Sequence, residues 1–146
     1  MAKAKSKHGL PDAIERREIL AGSAKRKVDV GELGRRYLGA GFFSDAIDCF
    51  ERAADREKLA EIKRIGIERD VFLLARLAKV AGFEVKAEEW REAGVKALAA
   101  GRDRSATIAF ERAGDAERAA EAKAKVDALR AELPQPKKGR GGLEIG

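Results

Sequence analysis

Residues 40–63 read AGFFSDAIDCFERAADREKLAEIK, and 60 residues further on, residues 100–123 read AGRDRSATIAFERAGDAERAAEAK. Twelve of the 24 aligned positions are identical, among them a Phe-Glu-Arg-Ala block that begins at Phe50 and again at Phe110. An alanine-rich composition alone would not place phenylalanine, aspartate and paired charges in register. Self-similarity at a fixed spacing is typical of repeat proteins, in which each unit buries its apolar face against its neighbours. The chain is therefore predicted to be a repeat protein, and its function is expected to be binding.

The composition predicts an all-helical protein. Alanine, leucine, glutamate, lysine and arginine dominate the 146 residues, and there are only three prolines. Aspartate or serine at the start of successive apolar segments, and glycine after their end, mark the helices. The predicted helices are 12–20, 29–40, 44–54, 56–67, 71–81, 86–100, 103–113 and 116–132, with caps at Asp29, Ser44, Asp55, Asp70 and Asp115.

The net charge of +6 lies at the two ends of the chain. Residues 1–29 carry +4, residues 134–146 carry +2, and the residues between them are neutral. This distribution predicts a basic N-terminal arm with a short helix over 1–26, a helical repeat domain over 27–132 and a flexible basic tail over 133–146. The high isoelectric point therefore does not indicate a basic face on the repeats.

Within each repeat the apolar and small residues follow a specific spacing. They are Leu33, Gly34, Tyr37, Ala46, Phe50 and Ala53 in the first repeat, and Trp90, Gly94, Ala106, Phe110 and Ala113 in the second. This pattern resembles the tetratricopeptide repeat, W-x2-L-G-x2-Y followed by A-x3-F. Small residues let two antiparallel helices approach, and large aromatic residues fill the space beside them. Residues 56–82 lie between the two motifs and carry no clear motif, but they can form a helix pair, which would be the second of three hairpins.

The resemblance implies a right-handed α-solenoid of about three helical hairpins with a C-terminal capping helix. In that family, the first helix of each hairpin lines a groove that binds a peptide or a partner's helix. By register, the groove candidates are Arg35 and Leu38 in the first repeat and Arg91, Val95 and Leu98 in the third hairpin. The alternative is that the apolar candidates only pack on neighbouring helices and that the arginines are solvated.

The last predicted helix has a narrow apolar stripe on an otherwise charged surface. The stripe consists of Ala119, Ala122, Val126 and Leu129, at helical spacing. A helix with one apolar stripe and a polar outer face is what closes the end of a repeat stack. We therefore expect this helix to cap the repeats.

Few residues have the chemistry of a catalytic site. His8 is the only histidine and lies in the basic arm, and Cys49 is the only cysteine, in mid-helix beside a phenylalanine. No phosphate-binding glycine motif is present. The sequence therefore predicts no catalytic residue, no metal site and no cofactor, which favours a non-enzymatic protein over an enzyme that works through carboxylates alone.

The expected partner is another protein, whose identity the sequence does not reveal. The lone cysteine favours a reducing compartment, and no apolar run is long enough for a membrane span, so a cytoplasmic location is predicted. The alternative function is binding of nucleic acid or another anionic surface through the basic termini. Binding of that kind neutralises phosphates and weakens steeply with salt.

Overall fold

A computed structural model describes residues 9–22 and 27–134, and in this part of the chain every regular element is a helix. The all-α prediction is therefore confirmed for the described residues. The eight helices are α1 (Ala13–Ala21), α2 (Val30–Gly39), α3 (Phe43–Ala53), α4 (Arg56–Arg69), α5 (Val71–Leu77), α6 (Ala87–Ala99), α7 (Asp103–Ala113) and α8 (Ala116–Glu132).

Aspartate side chains begin α2, α4, α5 and α8, as predicted. Each carboxylate accepts backbone N–H groups two or three residues further along, at 3.0–3.1 Å. These bonds satisfy donors that have no partner inside the helix. The four caps are Asp29, Asp55, Asp70 and Asp115.

The predicted cap at Ser44 is wrong. Ser44 lies in the first turn of α3, and Phe42 stands at the N-cap without a side-chain hydrogen bond. The start of this helix is set by the turn that follows α2. Gly41 adopts a φ of 83°, and the N–H of Phe42 donates to the carbonyl of Tyr37 at 2.9 Å. The equivalent turn before α7 contains the same bond at 2.8 Å.

The middle helices also differ from the prediction. α4 continues to Arg69, and α5 ends at Leu77 instead of residue 81. Asp70 alone connects them, and its N–H still bonds to the carbonyl of Gly66 at 2.9 Å. A Cβ on Gly66 would lie 3.1 Å from the backbone nitrogen of Leu74, so the two helices meet closely at this corner. After α5 the chain continues in turns, whose backbone bonds join residues three apart.

The 60-residue offset of the sequence is present in three dimensions. α3 and α7 begin and end 60 residues apart. A Cβ on Gly34 would lie 2.6 Å from the ring of Phe50, and a Cβ on Gly94 would lie 2.7 Å from the ring of Phe110. Both rings are buried. Each half of the fold therefore packs a phenylalanine directly onto the backbone of the preceding helix.

Most other positions of the repeat motif are buried, with one exception. Leu33, Tyr37, Ala46, Trp90, Ala106 and Ala113 are buried. Ala53 is exposed, although it was expected on the apolar face and its counterpart Ala113 is 8% exposed. The reason is that α8 packs along α7 more extensively than α4 packs along α3.

The buried apolar residues form two clusters that share the middle helices. The first cluster belongs mainly to α2 and α3 and includes Leu10, ahead of α1. The second cluster belongs mainly to α6, α7 and α8. α4 contributes Ile62 to the first cluster and Ile67 to the second, and α5 contributes Leu77 and Leu74 respectively. α4 and α5 therefore join two similar halves.

Every extensive contact joins helices that are one or two places apart in the chain. The most extensive contacts are α6 with α7, α2 with α3 and α7 with α8. α1 packs against α3, and α4 packs against α3, α5 and α6. The helices of the described part of the chain are thus packed in the order of the sequence.

The stripe on α8 covers the stack only in part. Ala119 and Ala122 are buried in the second cluster, Val126 is half-buried and Leu129 is 56% exposed. The reason is length, because α8 has 17 residues and α7, against which it packs, has 11. The second half of the predicted capping stripe therefore continues beyond α7.

Candidate functional site

The predicted groove residues lie on two separate helices. Arg35 and Leu38 are on α2, and Arg91, Val95 and Leu98 are on α6. Leu38 is half-buried against the first cluster and Leu98 against the second. Val95 is 46% exposed, and both arginines are exposed. α2 and α6 make no extensive contact, so the two sets are not brought together into one packed surface.

A network of ion pairs joins α4 to α6. Arg64 pairs with Glu68 at 2.8 Å within α4 and also with Glu92 on α6. Lys96 on α6 pairs back with Glu68 at 2.9 Å. Hydrogen bonds from Arg64 and then Lys96 hold the pKa of Glu68 below its usual value. The exposed surface over these two helices is therefore already neutralised by internal pairing.

A second ion pair lies at the start of α6. Lys63 pairs with Glu89 at 2.8 Å, and Glu89 also accepts the backbone N–H of Lys86 at 2.8 Å. Burial of Glu89 acts to raise its pKa, but the hydrogen bonds from Lys63 and Lys86 outweigh it, so the pKa is lowered. The Lys63 ammonium also lies 5.4 Å from the ring centre of Phe83. This part of the surface is a packed structural contact.

The arginines of the predicted groove have partners as well. Arg35 pairs with Glu32 one turn earlier, at 2.9 Å. Arg91 pairs with Asp115, the N-cap of α8, at 3.5 Å. Exposed ion pairs of this kind are weak, so an acidic ligand can displace them at little cost. They nevertheless leave no concentrated positive charge on the predicted groove.

An open cleft lies between the turn before α3 and the corner before α5. It has a volume of about 310 Å³ and is lined by Phe43, Ser44, Phe72, Leu73 and Arg76, among others. Phe72 is 61% exposed, and Phe43 is half-buried. An aromatic ring that stands mostly in water beside a concave surface can bury further area against a partner.

The corner between α4 and α5 is joined to the turn before α7 by a side-chain hydrogen bond. The guanidinium of Arg102, in the turn before α7, donates a hydrogen bond to the carbonyl of Arg69 and ties these two turns together. By the 60-residue offset, Phe42 occupies the position of Arg102 in the first half. A phenylalanine side chain cannot donate such a bond, so the first half lacks this contact.

A second cleft lies on the other side of the same turn. Its volume is about 290 Å³, and its lining includes Leu10, Pro11, Tyr37 and Phe42. The Tyr37 hydroxyl donates to the carbonyl of Pro11 at 3.4 Å, and its ring meets that of Phe42 edge to face with centres 6.4 Å apart. These contacts connect the segment before α1 to the first hairpin.

Charged side chains of α3 join the helices around these clefts. Arg16 of α1 pairs with Asp45 and lies 3.8 Å from Asp48. Asp48 also pairs with Arg76 of α5, which lines the first cleft. Because Asp48 is partly buried between two arginines, this cluster fixes the cleft wall rather than offering a free charge.

The described residues contain no exposed cysteine and no cluster of metal ligands. Cys49 is fully buried, and burial, followed by the charge of Asp48, raises the pKa of its thiol to about 11. Within residues 9–22 and 27–134, no cluster of histidine, cysteine and carboxylate side chains is arranged to hold a metal ion. His8 lies outside the described residues, as do the rest of residues 1–8, residues 23–26 and residues 135–146 of the tail.

Phe72 is not among the residues predicted to bind a partner. The signal was available, because VFLLARL places four apolar residues in a row at the start of α5. Four consecutive residues of a helix cannot all face one core, since each advances about 100° around the axis. Val71, Leu73 and Leu74 are buried, and Phe72 is the one that faces outward.

None of the described helices is both long and apolar enough to cross a bilayer. Comparison of the chain with protein-family models, with curated proteins and with solved structures finds no match. The resemblance to the tetratricopeptide repeat rests on the motif residues themselves and remains a prediction.

Proposed function

We propose that this protein is a non-enzymatic binding module of tetratricopeptide-like architecture, a right-handed α-solenoid of about three helical hairpins with a C-terminal capping helix. The repeated contacts of Gly34 with Phe50 and of Gly94 with Phe110 support the repeat. Packing of each helix on those next to it in the chain is the order expected of a solenoid. The ligand is a segment of another protein, and we place the module in the cytoplasm, where a lone thiol such as Cys49 stays reduced.

The observation that carries this proposal is the cleft beside Phe72. Its volume of about 310 Å³ is at the lower limit for small-molecule sites, so it suits one large apolar side chain better than a cofactor. The predicted groove over α2 and α6 offers less, because its arginines are paired and Leu38 and Leu98 are half-buried. We therefore propose that the partner segment binds mainly in the cleft beside Phe72, and we use a substitution at Val95 to test whether it binds in the groove instead.

Two matched substitutions distinguish the two surfaces. Phe72→Ser and Val95→Ser each replace an exposed apolar side chain on a helix with a small polar one. Quantitative affinity capture from a cell extract, with the wild-type chain as reference, should show partners lost with Phe72→Ser and retained with Val95→Ser. The reverse pattern would assign binding to the groove. Identical partner sets for all three proteins would contradict binding at either surface.

The distribution of charge supports a second candidate, nucleic-acid binding through the termini. Eight basic residues and one acidic residue lie outside the described residues and together carry +7, so the described residues carry −1. The net positive charge of the chain therefore lies outside the described residues. Single-stranded RNA and duplex DNA should bind at low salt, weaken steeply with added salt, and be lost on deletion of residues 1–8 and 135–146. Unchanged affinity after this deletion would rule out binding by the termini.

A further inference from the structure

The last helix continues beyond the helix it packs against. α8 has 17 residues and α7 has 11, lengths of about 25 and 16 Å at 1.5 Å per residue. One apolar stripe recurs at alternating intervals of three and four, with Ala119, Ala122, Val126 and Leu129 in the helix and Leu133 at its C-cap. The first two are buried, Val126 is half-buried, and Leu129 and Leu133 are each 56% exposed. We call the open part, Val126, Leu129 and Leu133, the α8 seam.

The charged residues of α8 are sorted around this stripe. With Ala119 at heptad position a, every basic residue of the helix takes position e or g, next to the stripe: Arg118, Lys123, Lys125 and Arg130. Three of the four acidic residues take the outer positions b, c and f: Glu117, Glu121 and Asp127. Glu132, at position g, is the exception. Positions e and g are those that face a partner helix in a coiled coil.

The basic residues beside the open seam are available for a partner. Lys123, Lys125 and Arg130 are exposed and make no ion pair with any residue that the structure describes. Arg118, beside the buried half, instead pairs with Asp115 at 3.7 Å and lies over the ring of Phe110. The open half therefore combines apolar side chains with three basic side chains that make no ion pair, and with Glu132 its net charge is +2.

We propose that the α8 seam binds an amphipathic helix of a partner protein whose apolar stripe is flanked by glutamate or aspartate. Such a helix extends the packing of α8 by one more helix and places carboxylates against Lys123, Lys125 and Arg130. This surface is separate from the cleft beside Phe72 and does not depend on it.

Charge and width argue against the other occupants. A second copy would bring together two surfaces that each carry +2, from three basic residues and Glu132. Residues 135–146 of the same chain also carry +2 and are not complementary to the seam. A membrane surface requires a broad apolar face, whereas this stripe contains only a and d positions.

The test uses the full chain and two synthetic three-heptad peptides. Both peptides carry leucine at a and d, and one carries glutamate at e and g where the other carries lysine. Nuclear magnetic resonance titration of the isotope-labelled protein reports weak binding residue by residue, which suits a seam only about two turns long. We expect the acidic peptide to shift the amide signals of residues 122–133 with a Kd below about 1 mM, and the basic peptide to cause no such shifts.

Variants of exposed residues separate apolar from charge recognition. Leu129→Ser with Leu133→Ser should weaken binding of the acidic peptide at least about tenfold. Lys125→Glu with Arg130→Glu should transfer the preference to the basic peptide. The matched control is Lys79→Glu with Arg104→Glu, which makes the same change in net charge at exposed residues outside α8 and should leave the titration unchanged. Circular dichroism should show the same helix content for every variant.

Four outcomes would overturn the proposal. These are no shift with the acidic peptide up to about 1 mM, equal binding of both peptides, binding that survives the serine variant, and a preference that does not follow the charge reversal. Two further measurements identify a different occupant. Self-association by analytical ultracentrifugation that is lost in the serine variant would indicate a second copy. Binding of the chain to phosphatidylserine vesicles but not to the acidic peptide would indicate a membrane.

Discussion

Replacing Gly34 with alanine tests whether the repeat is held together by close contact between a helix backbone and a phenylalanine ring. A Cβ at this position would lie 2.6, 2.9 and 3.0 Å from three atoms of the Phe50 ring, where ordinary contact begins at 3.4 Å. The ring or the helix must therefore move by roughly 0.8 Å, against a core in which few voids exist. Phe50 is fully buried, so its ring has no free space to enter.

The magnitude follows from two opposing effects. Alanine in place of glycine favours the helix by about 1 kcal/mol, and overpacking of a buried site costs about 1–3 kcal/mol or more. Because the contact here is far inside ordinary distance, the steric cost should exceed the helix preference. We expect Gly34→Ala to lower the free energy of unfolding by about 1–2 kcal/mol.

Urea unfolding followed by far-ultraviolet circular dichroism measures this effect, with Gly39→Ala as the matched control. Gly39 ends the same helix, and a Cβ there would meet nothing within 4 Å, so alanine should stabilise by up to about 1 kcal/mol. Combining Gly34→Ala with Phe50→Leu should cost less than the sum of the single changes, by about 1 kcal/mol. Combining Gly34→Ala with Phe110→Leu should be additive, since that ring contacts the other repeat. Stabilisation by Gly34→Ala equal to that of Gly39→Ala would refute the reasoning.

Three other predictions test separate parts of the fold. Ala54 is the only described residue other than glycine with a positive φ, 54°, and its repeat counterpart is Gly114 at 76°. Ala54→Gly should raise the urea midpoint by the equivalent of about 0.5–1 kcal/mol, and Gly114→Ala should lower it. Midpoints equal to that of the wild-type protein in both variants would contradict the left-handed conformation of these residues. Phe110→Ala should lower the free energy of unfolding by about 3–5 kcal/mol, and Glu111→Ala, at an exposed residue, should lower it by less than about 0.5 kcal/mol. Similar small losses of stability in both variants would show that the repeat register is wrong. The pKa of about 11 for Cys49 leaves roughly a thousandth of the thiol ionised near pH 8. Alkylation of Cys49 should therefore be very slow in the native state and fast in urea. Rapid labelling of the native protein would show that the first cluster opens.

The helix ends that depend on short-range bonds could be predicted. Asp29, Asp55 and Asp115 cap the helices expected of them, because a carboxylate binds N–H groups only three residues away. Ser44 satisfied the same sequence rule but is not a cap, because the turn that contains Gly41 starts the helix earlier. The end of α5 at Leu77 had no sequence signal, since the residues that follow it are compatible with a helix.

The candidate sites were less predictable than the fold. Arg35 and Val95 were expected at the surface and are exposed, yet the sequence did not indicate that Arg35 pairs with its neighbour Glu32. Phe72 was not selected, because its exposure depends on which face of α5 meets the rest of the chain. A run of apolar residues identifies a buried helix but not the member left outside it.

The sequence by itself determined the helical class and the 60-residue offset at which similar segments recur, because these depend on composition and helical periodicity. Only the tertiary structure decided which surfaces remain open. Arg102 reaches the carbonyl of Arg69 and joins the α4–α5 corner to the turn before α7, while a cleft stays open beside Phe72. α8 likewise continues past α7 and leaves half of its stripe uncovered. Such differences depend on which elements meet in the folded chain, and no local pattern specifies which neighbour a side chain will reach.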